Sequence, residues 1–281
     1  MNGNVLITGA SSGIGLFTLR RFAAAGWTAT ATVRNSERAS QLEELLAEER
    51  IRATVVAFDV RDRQATDDAV SEILAGGVPD VLINNAAITV FAPIELLDDA
   101  AIDLQIETNV VAPLRLTRAF VPHFRQRGSG SIVHVASASG FVPQGCEGIY
   151  CASKHAVEAL GEALYYEMRP FGVRVAIVEP GRTAADSDHK RVFAGGFGPD
   201  SPYWDGFMEE IGLLNRTLWK DDWAEDPAVV ADAIFDAATS TDRKLHWQVG
   251  RDTAFAATMR GRDALATYDE RRIPALEAFT G

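Results

Sequence analysis

Short apolar, β-branched runs alternate along this chain with longer stretches of helical period. The runs fall at residues 5–8, 28–33, 54–58, 81–84, 131–135, 173–178 and 246–249. They are mostly apolar on both sides of the two-residue repeat, which predicts strands covered on both faces. After the second run, Leu42, Leu45 and Leu46 mark a helix face, with Ser36 placed to cap its start. After the third, Ala69, Val70, Ile73 and Leu74 mark another, closed by Gly76 and Gly77. Strands alternating with helices build right-handed βαβ units. The expected fold is α/β: one doubly wound domain over residues 1–281, with a central parallel sheet and helices on both faces.

The pattern weakens between Gly181 and about Glu225, a stretch holding Phe193, Phe197, Tyr203, Trp204, Phe207, Met208, Trp219 and Trp223. A long irregular segment in a compact domain usually carries function. Residues 182–225 are therefore expected to form a substrate loop or lid; the plainer alternative is a pair of helices packed on the core.

Composition narrows the possibilities. The 281 residues are 47% hydrophobic and 23% charged, so a packed core is expected. The net charge of −12 opposes binding to a phosphate backbone or an anionic membrane, so neither partner is expected. Two cysteines, Cys146 and Cys151, cannot make a disulfide framework or a cysteine-only metal site, and no metal is expected. No apolar run approaches the roughly 18 residues of a spanning helix. The chain reads straight into its first strand with no basic leader, which points to a cytoplasmic protein.

After that first strand comes Thr8-Gly9-Ala10-Ser11-Ser12-Gly13-Ile14-Gly15, then a helical run. A strand, a glycine turn and a helix start bring backbone N–H groups and a positive helix end to one point, which suits a pyrophosphate. Gly9 permits the tight turn, Gly13 lets the diphosphate approach, and Gly15 allows close helix–sheet packing. This is a Rossmann-type dinucleotide arrangement. No Gly-Lys-Ser/Thr follows, so a P-loop is excluded. The second strand ends Thr32-Val33-Arg34-Asn35. An acid there would bond a ribose 2′-hydroxyl. Val33 cannot, whereas Arg34 can fork onto a 2′-phosphate, so NADP(H) is favoured over NAD(H).

Tyr150 and Lys154 lie four apart at the start of a helix running to about Arg169, and so share a face. A nearby ammonium favours the phenolate and lowers the tyrosine pKa toward working pH. Ser137 ends the strand thirteen residues upstream, at the sheet edge where ligands bind. Its hydroxyl can donate to a substrate carbonyl beside the tyrosine.

Together these residues resemble the short-chain dehydrogenases/reductases in their shorter form. The resemblance rests on Thr8 to Gly15, Asp59, Asn84-Asn85-Ala86, Asn109, Ser137, Tyr150, Lys154 and Pro180-Gly181, spread over roughly two-thirds of the chain. It implies that Tyr150 is the general acid/base, Lys154 tunes it and holds the nicotinamide ribose, and Ser137 orients the substrate. Asn109 would sit at a helix distortion and hold a water linking Lys154 to solvent. The cofactor would lie on Gly9, Ser11, Ser12, Gly13, Ile14, Gly15, Arg34, Asp59, Val60, Asn85, Ala86, Tyr150, Lys154, Pro180, Gly181 and Thr183, with Asp59 bonding the adenine amino group. A homodimer or homotetramer is also implied. The chain departs from the family at Ala87, at Thr183 and Ala185, and in having no basic residue in the glycine turn.

Ser139 competes with Ser137 but falls beyond the strand end. His134 reads as packing, His155 points to another helix face, and Cys146 and Glu147 lie in the loop before Tyr150. The leading reading is hydride transfer to a lipophilic carbonyl or secondary alcohol, as in a ketone reductase or a hydroxysteroid-dehydrogenase-like enzyme. The competing readings are an NADP(H)-sensing binding protein on the same fold and another class, such as a methyltransferase, on a doubly wound sheet.

Overall fold

Each of the seven apolar runs becomes a strand of one sheet, and two shorter strands stand apart from it. The computed structural model describes residues 3–184, 190–217 and 224–259. The strands are β1 (Asn4–Thr8), β2 (Thr28–Val33), β3 (Ala53–Ala57), β4 (Val81–Asn84), β5 (Thr89–Phe91), β6 (Ser131–Val135), β7 (Arg174–Pro180), β8 (Arg191–Phe193) and β9 (His246–Val249). The helices are α1 (Gly13–Ala24), α2 (Ser36–Glu48), α3 (Arg63–Ala75), α4 (Asp99–Ile106), α5 (Ala112–Arg127), α6 (Gly148–Met168), α7 (Trp204–Arg216), α8 (Pro227–Thr239) and α9 (Arg251–Met259). The main sheet runs β3-β2-β1-β4-β6-β7-β9, and every pairing in it is parallel.

Alternate side chains of the strands feed two separate cores. Val5, Ile7, Ile83, Val133 and Val178 point to the face covered by α1, α2 and α8, through Leu19, Phe22, Leu42, Leu46, Val230 and Ile234. Leu6, Leu82, Ile132, Val175 and Ile177 point to the face covered by α3, α5 and α6, through Ile73, Phe120, Phe124, Val157 and Met168. The double burial explains why the strands read as nearly continuous apolar runs.

Three local details differ from the sequence reading. Asn35, not Ser36, caps α2: it is extended (φ −155°) and its side chain accepts from the Arg38 N–H at 3.0 Å, which leaves Ser36 inside the first turn. β3 begins one residue earlier than expected, and β7 runs on through Pro180. The third is β5 and β8, which pair with each other in parallel as a small second sheet. They were illegible because three residues are too short to show a period.

Candidate active site

The order of the main sheet reverses between β1 and β4, the place where doubly wound sheets open a crevice at their carboxyl ends. Two adjoining cavities lie there. The first is lined by Gly9, Ser11, Arg34, Asp59, Val60 and Ala86. The second, with about 1200 Å³ of open space, holds Ser137, Tyr150 and Lys154 together with Gly13, Ile14 and Asn85. Pro180, Gly181 and Thr183 close its far side. Lys190 borders both cavities.

The turn that floors the crevice fits a dinucleotide. Gly9 has a left-handed backbone (φ +66°), and a Cβ on it would stand 2.9 Å from the Ala86 Cα. At Gly15 a Cβ would lie 2.3 Å from the Gly9 carbonyl oxygen and 2.5 Å from the Asn85 amide nitrogen. Asn85 ties this turn to β4: its Nδ2 donates to the Thr8 carbonyl at 2.8 Å and to the Gly9 carbonyl at 3.2 Å. The Thr8 hydroxyl accepts from the N–H groups of Asn85 and Ala86 at 2.9 and 3.0 Å. With the Ala10 N–H bonded to the Thr32 carbonyl at 3.1 Å, these contacts fix the position of the turn. Ser12 and Gly15 do not line the cavities; Ser12 is the extended residue preceding α1 (φ −165°), and Gly15 packs beneath the turn.

At the far end of the first cavity, Arg34 is joined by Arg38 from the first turn of α2, a residue the sequence reading passed over. Asp59 accepts a forked pair from Arg61, with Oδ2 2.6 Å from Nη2. Burial works to raise the Asp59 pKa, but the Arg61 hydrogen bonds outweigh it and hold the carboxyl below its usual range.

The catalytic-type residues are held by a network behind the crevice. α4 passes into α5 through a π-helical turn, Glu107–Val111, that contains Asn109. The Asn109 Oδ1 accepts from the Ile88 N–H at 3.0 Å, while its Nδ2 donates to the Ile88 carbonyl at 3.0 Å and to the Ser153 hydroxyl at 3.1 Å. One turn earlier, Gln105 accepts from the Val90 N–H at 2.8 Å and donates to the Ile88 carbonyl at 3.1 Å. These two amides grip the start of β5, and Ser153 passes the restraint to the Tyr150 carbonyl at 2.7 Å. The distortion falls where expected, but both Asn109 amide protons are spent on protein groups. Its side chain positions β5 and α6 rather than lining the cleft.

Tyr150 shares the wall of the second cavity with Ser137 and Thr89, whose hydroxyls favour its ionised form. Thr89, on β5, was not foreseen. Burial raises the Tyr150 pKa; Ser137 pulls it down, Glu147 pushes it up, and the result is about 12. This reverses the direction expected from Lys154. The lysine Nζ lies 5.9 Å from the centre of the Tyr150 ring and donates to the Val135 carbonyl at 2.8 Å, so its charge is not directed at the hydroxyl. Burial, then Lys190, lowers the Lys154 pKa to about 8, against an opposing pull from Glu158. Ser139 acts on Cys151, pulling its thiol pKa down against the larger effect of burial, which raises it. His134 is buried in the sheet, and burial followed by Lys154 depresses its pKa to about 4, so it packs as a neutral ring. The His155 Nδ1 lies 2.8 Å from the Cys151 carbonyl and faces its own helix.

The aromatic-rich segment turns mostly toward itself. Phe193, Phe197, Trp204 and Phe207 pack with Phe91 as a satellite core built on β5, β8 and α7. Of these, Phe91 lines the second cavity, along with polar Gln144, Glu147, Arg182 and Arg191. Trp219, Trp223 and Ala185 lie outside the described residues.

The model of the short chain dehydrogenase family matches residues 3–192. The chain belongs to the short-chain dehydrogenase/reductase family. It is a dehydrogenase/reductase acting on CH–OH and C=O groups, and small molecules are the substrates of this family. The chain is 32% identical over 251 residues to the uncharacterized oxidoreductase YusZ of Bacillus subtilis, covering 88% of each protein. It is 30% identical over 213 residues to the 3-ketodihydrosphingosine reductase of Bacteroides thetaiotaomicron, covering 75% of this chain and 76% of that one. A short-chain dehydrogenase crystal structure from Streptomyces avermitilis superposes with a TM-score of 0.80 at 34% identity, over 91% of this chain and 90% of the other. Among the described residues no helix is long and apolar enough to cross a membrane.

Proposed function

We propose that this dehydrogenase/reductase moves a hydride between NADP(H) and a ketone or secondary alcohol, with Tyr150 as general acid/base. The observation that carries the reading is the meeting of Ser137, Tyr150 and Lys154 in a cleft continuous with the Gly9–Gly15 turn. The nicotinamide, when bound, supplies or accepts the hydride. Ser137 donates to the substrate oxygen and fixes it beside Tyr150. In reduction the Tyr150 hydroxyl gives its proton to that oxygen. A phenol whose pKa is pushed up to about 12 holds that proton at neutral pH. The reverse reaction needs added positive charge at the phenolate, and the two Lys154 protons not bonded to Val135 can provide part of it. Asn109 and Gln105 keep β5 and α6 in register behind the reacting groups.

Arg34 and Arg38, with apolar Val33 at the end of β2, support NADP(H) over NAD(H). Phe91 and Ile88 offer an apolar wall for a lipophilic substrate, as in a ketone reductase or a hydroxysteroid-dehydrogenase-like enzyme. A second reading, a substrate with polar substituents, is favoured by Gln144, Glu147 and Arg191 across the same cavity. We take residues 182–225 as the lid over it, on a single-domain chain that works as a cytoplasmic homodimer or homotetramer. A panel of steroidal, aromatic and hydroxylated ketones, followed by absorbance of NADPH and NADH, tests this. Turnover of the apolar ketones with NADPH supports the first reading. Turnover of hydroxylated substrates alone supports the second, and no turnover with stoichiometric NADPH binding supports a cofactor sensor.

A further inference from the structure

Beyond the cleft, α6 carries a second set of ionisable groups. Glu158 and Glu162 follow Lys154 by one and two turns and share one helix face. They meet His246 of β9 and Glu179 of β7. The His246 Nδ1 lies 2.6 Å from Glu179 Oε1 and 3.5 Å from Glu158 Oε2, and its Nε2 lies 3.6 Å from Glu162 Oε1. Glu158 and Glu179 are only 2% and 1% exposed. Three carboxylates thus converge on one imidazole. In addition, Glu179 Oε2 is buried with no hydrogen-bond partner among the described residues.

We propose that Glu158, Glu162 and His246 bind a divalent transition cation of the Zn²⁺ or Mn²⁺ type, with Glu179 as its orienting outer partner. The arrangement matches a carboxylate–histidine–metal relay: an Nδ1–H donated to Glu179 leaves the Nε2 lone pair for the metal. The ligand atoms of the three residues lie within 4.8 Å of one another. A tetrahedral ion with bonds of about 2.05 Å needs ligand atoms about 3.4 Å apart, so small rotamer shifts close the site. One imidazole nitrogen with carboxylate oxygens suits Zn²⁺ or Mn²⁺ better than Ca²⁺ or Mg²⁺. Glu162 and His246, 24% and 19% exposed, give the ion a path from solvent. Bound there, it would staple the helix of Tyr150 and Lys154 to the edge strand β9, independently of which substrate or cofactor the cleft takes.

The competing occupant is a proton. Burial alone would depress His246, but hydrogen bonds to Glu158 and Glu179 outweigh it and push its pKa up to about 10. The test uses the full chain stripped with EDTA and titrated at pH 8 with ZnCl₂ and MnCl₂ by calorimetry, and with CoCl₂ by visible absorbance. The expected result is one ion per chain, a d–d band of low-coordinate Co²⁺ and a higher Tm with the metal. Glu162→Gln, at a partly exposed position that tolerates the change, should weaken binding at least tenfold and abolish the band while the metal-free Tm stays near that of the parent. His246→Gln should do the same to binding. No saturable binding in the parent, or binding that survives both substitutions, would overturn the proposal.

Discussion

Replacing Gly15 by Ala probes the cradle beneath the crevice with a single methyl group. That methyl would stand 2.3 Å from the Gly9 carbonyl oxygen and 2.5 Å from the Asn85 amide nitrogen. An ordinary carbon–oxygen contact is about 3.3 Å or more, so the turn has to move by roughly 1 Å. Overpacking of this kind costs about 1–3 kcal/mol. The Asn85 bonds to Thr8 and Gly9, at 2.8 and 3.2 Å, weaken with it, at about 1 kcal/mol each if lost. Restricting the unfolded chain returns up to about 1 kcal/mol. The net expectation is a loss of about 1–4 kcal/mol of stability, measurable by urea unfolding with an unchanged m-value. The displaced turn is also the proposed seat of the dinucleotide, and a 1 Å error in positioning can cost about 10²-fold in rate. Fluorescence titration should therefore show NADPH binding weakened along with stability. A variant as stable as the parent that binds NADPH equally well would refute the geometry of the turn.

Two further outcomes follow from charges in and around the cleft. Arg34→Ala combined with Arg38→Ala should weaken NADPH binding by about tenfold or more, the scale of one lost charge-assisted hydrogen bond, and leave NADH binding nearly unchanged; equal losses for both would remove the arginines from cofactor choice. Glu147 has its pKa raised to about 7, by burial first and then by Glu210, with Arg191 opposing. The folded chain therefore holds a proton there that the unfolded chain releases above about pH 4.5, and this contribution to stability is lost as pH rises through 7. Glu147→Gln should match the parent near pH 4 and exceed it in stability at pH 8; a stability difference that is flat with pH would contradict this.

The strands of the main sheet were legible because burial on both faces leaves long apolar runs, as at Leu82 and Ile132. The glycine turn and the Tyr150–Lys154 pair were legible because each is local in sequence. What escaped depends on distance or on direction. Thr89 and Gln105 matter only because β5 is pinned beside α6, and nothing in their own segments marks them. The aromatics around Phe197 read as a pocket lining but pack on each other. The sequence places Lys154 on the same helix face as Tyr150, yet not that Nζ turns to the Val135 carbonyl. The His246 cluster closes only when β9 comes back beside β7 and α6, 67 residues after Glu179.

Substituting Tyr150 by Phe removes one oxygen from the cleft and leaves the ring and the glycine turn in place. Measured side by side, NADPH affinity should stay within about twofold of the parent, while turnover of any accepted ketone should fall by about 10²-fold or more, the usual scale of a lost general acid. Turnover equal to that of the parent would contradict the assignment of the proton to this phenol.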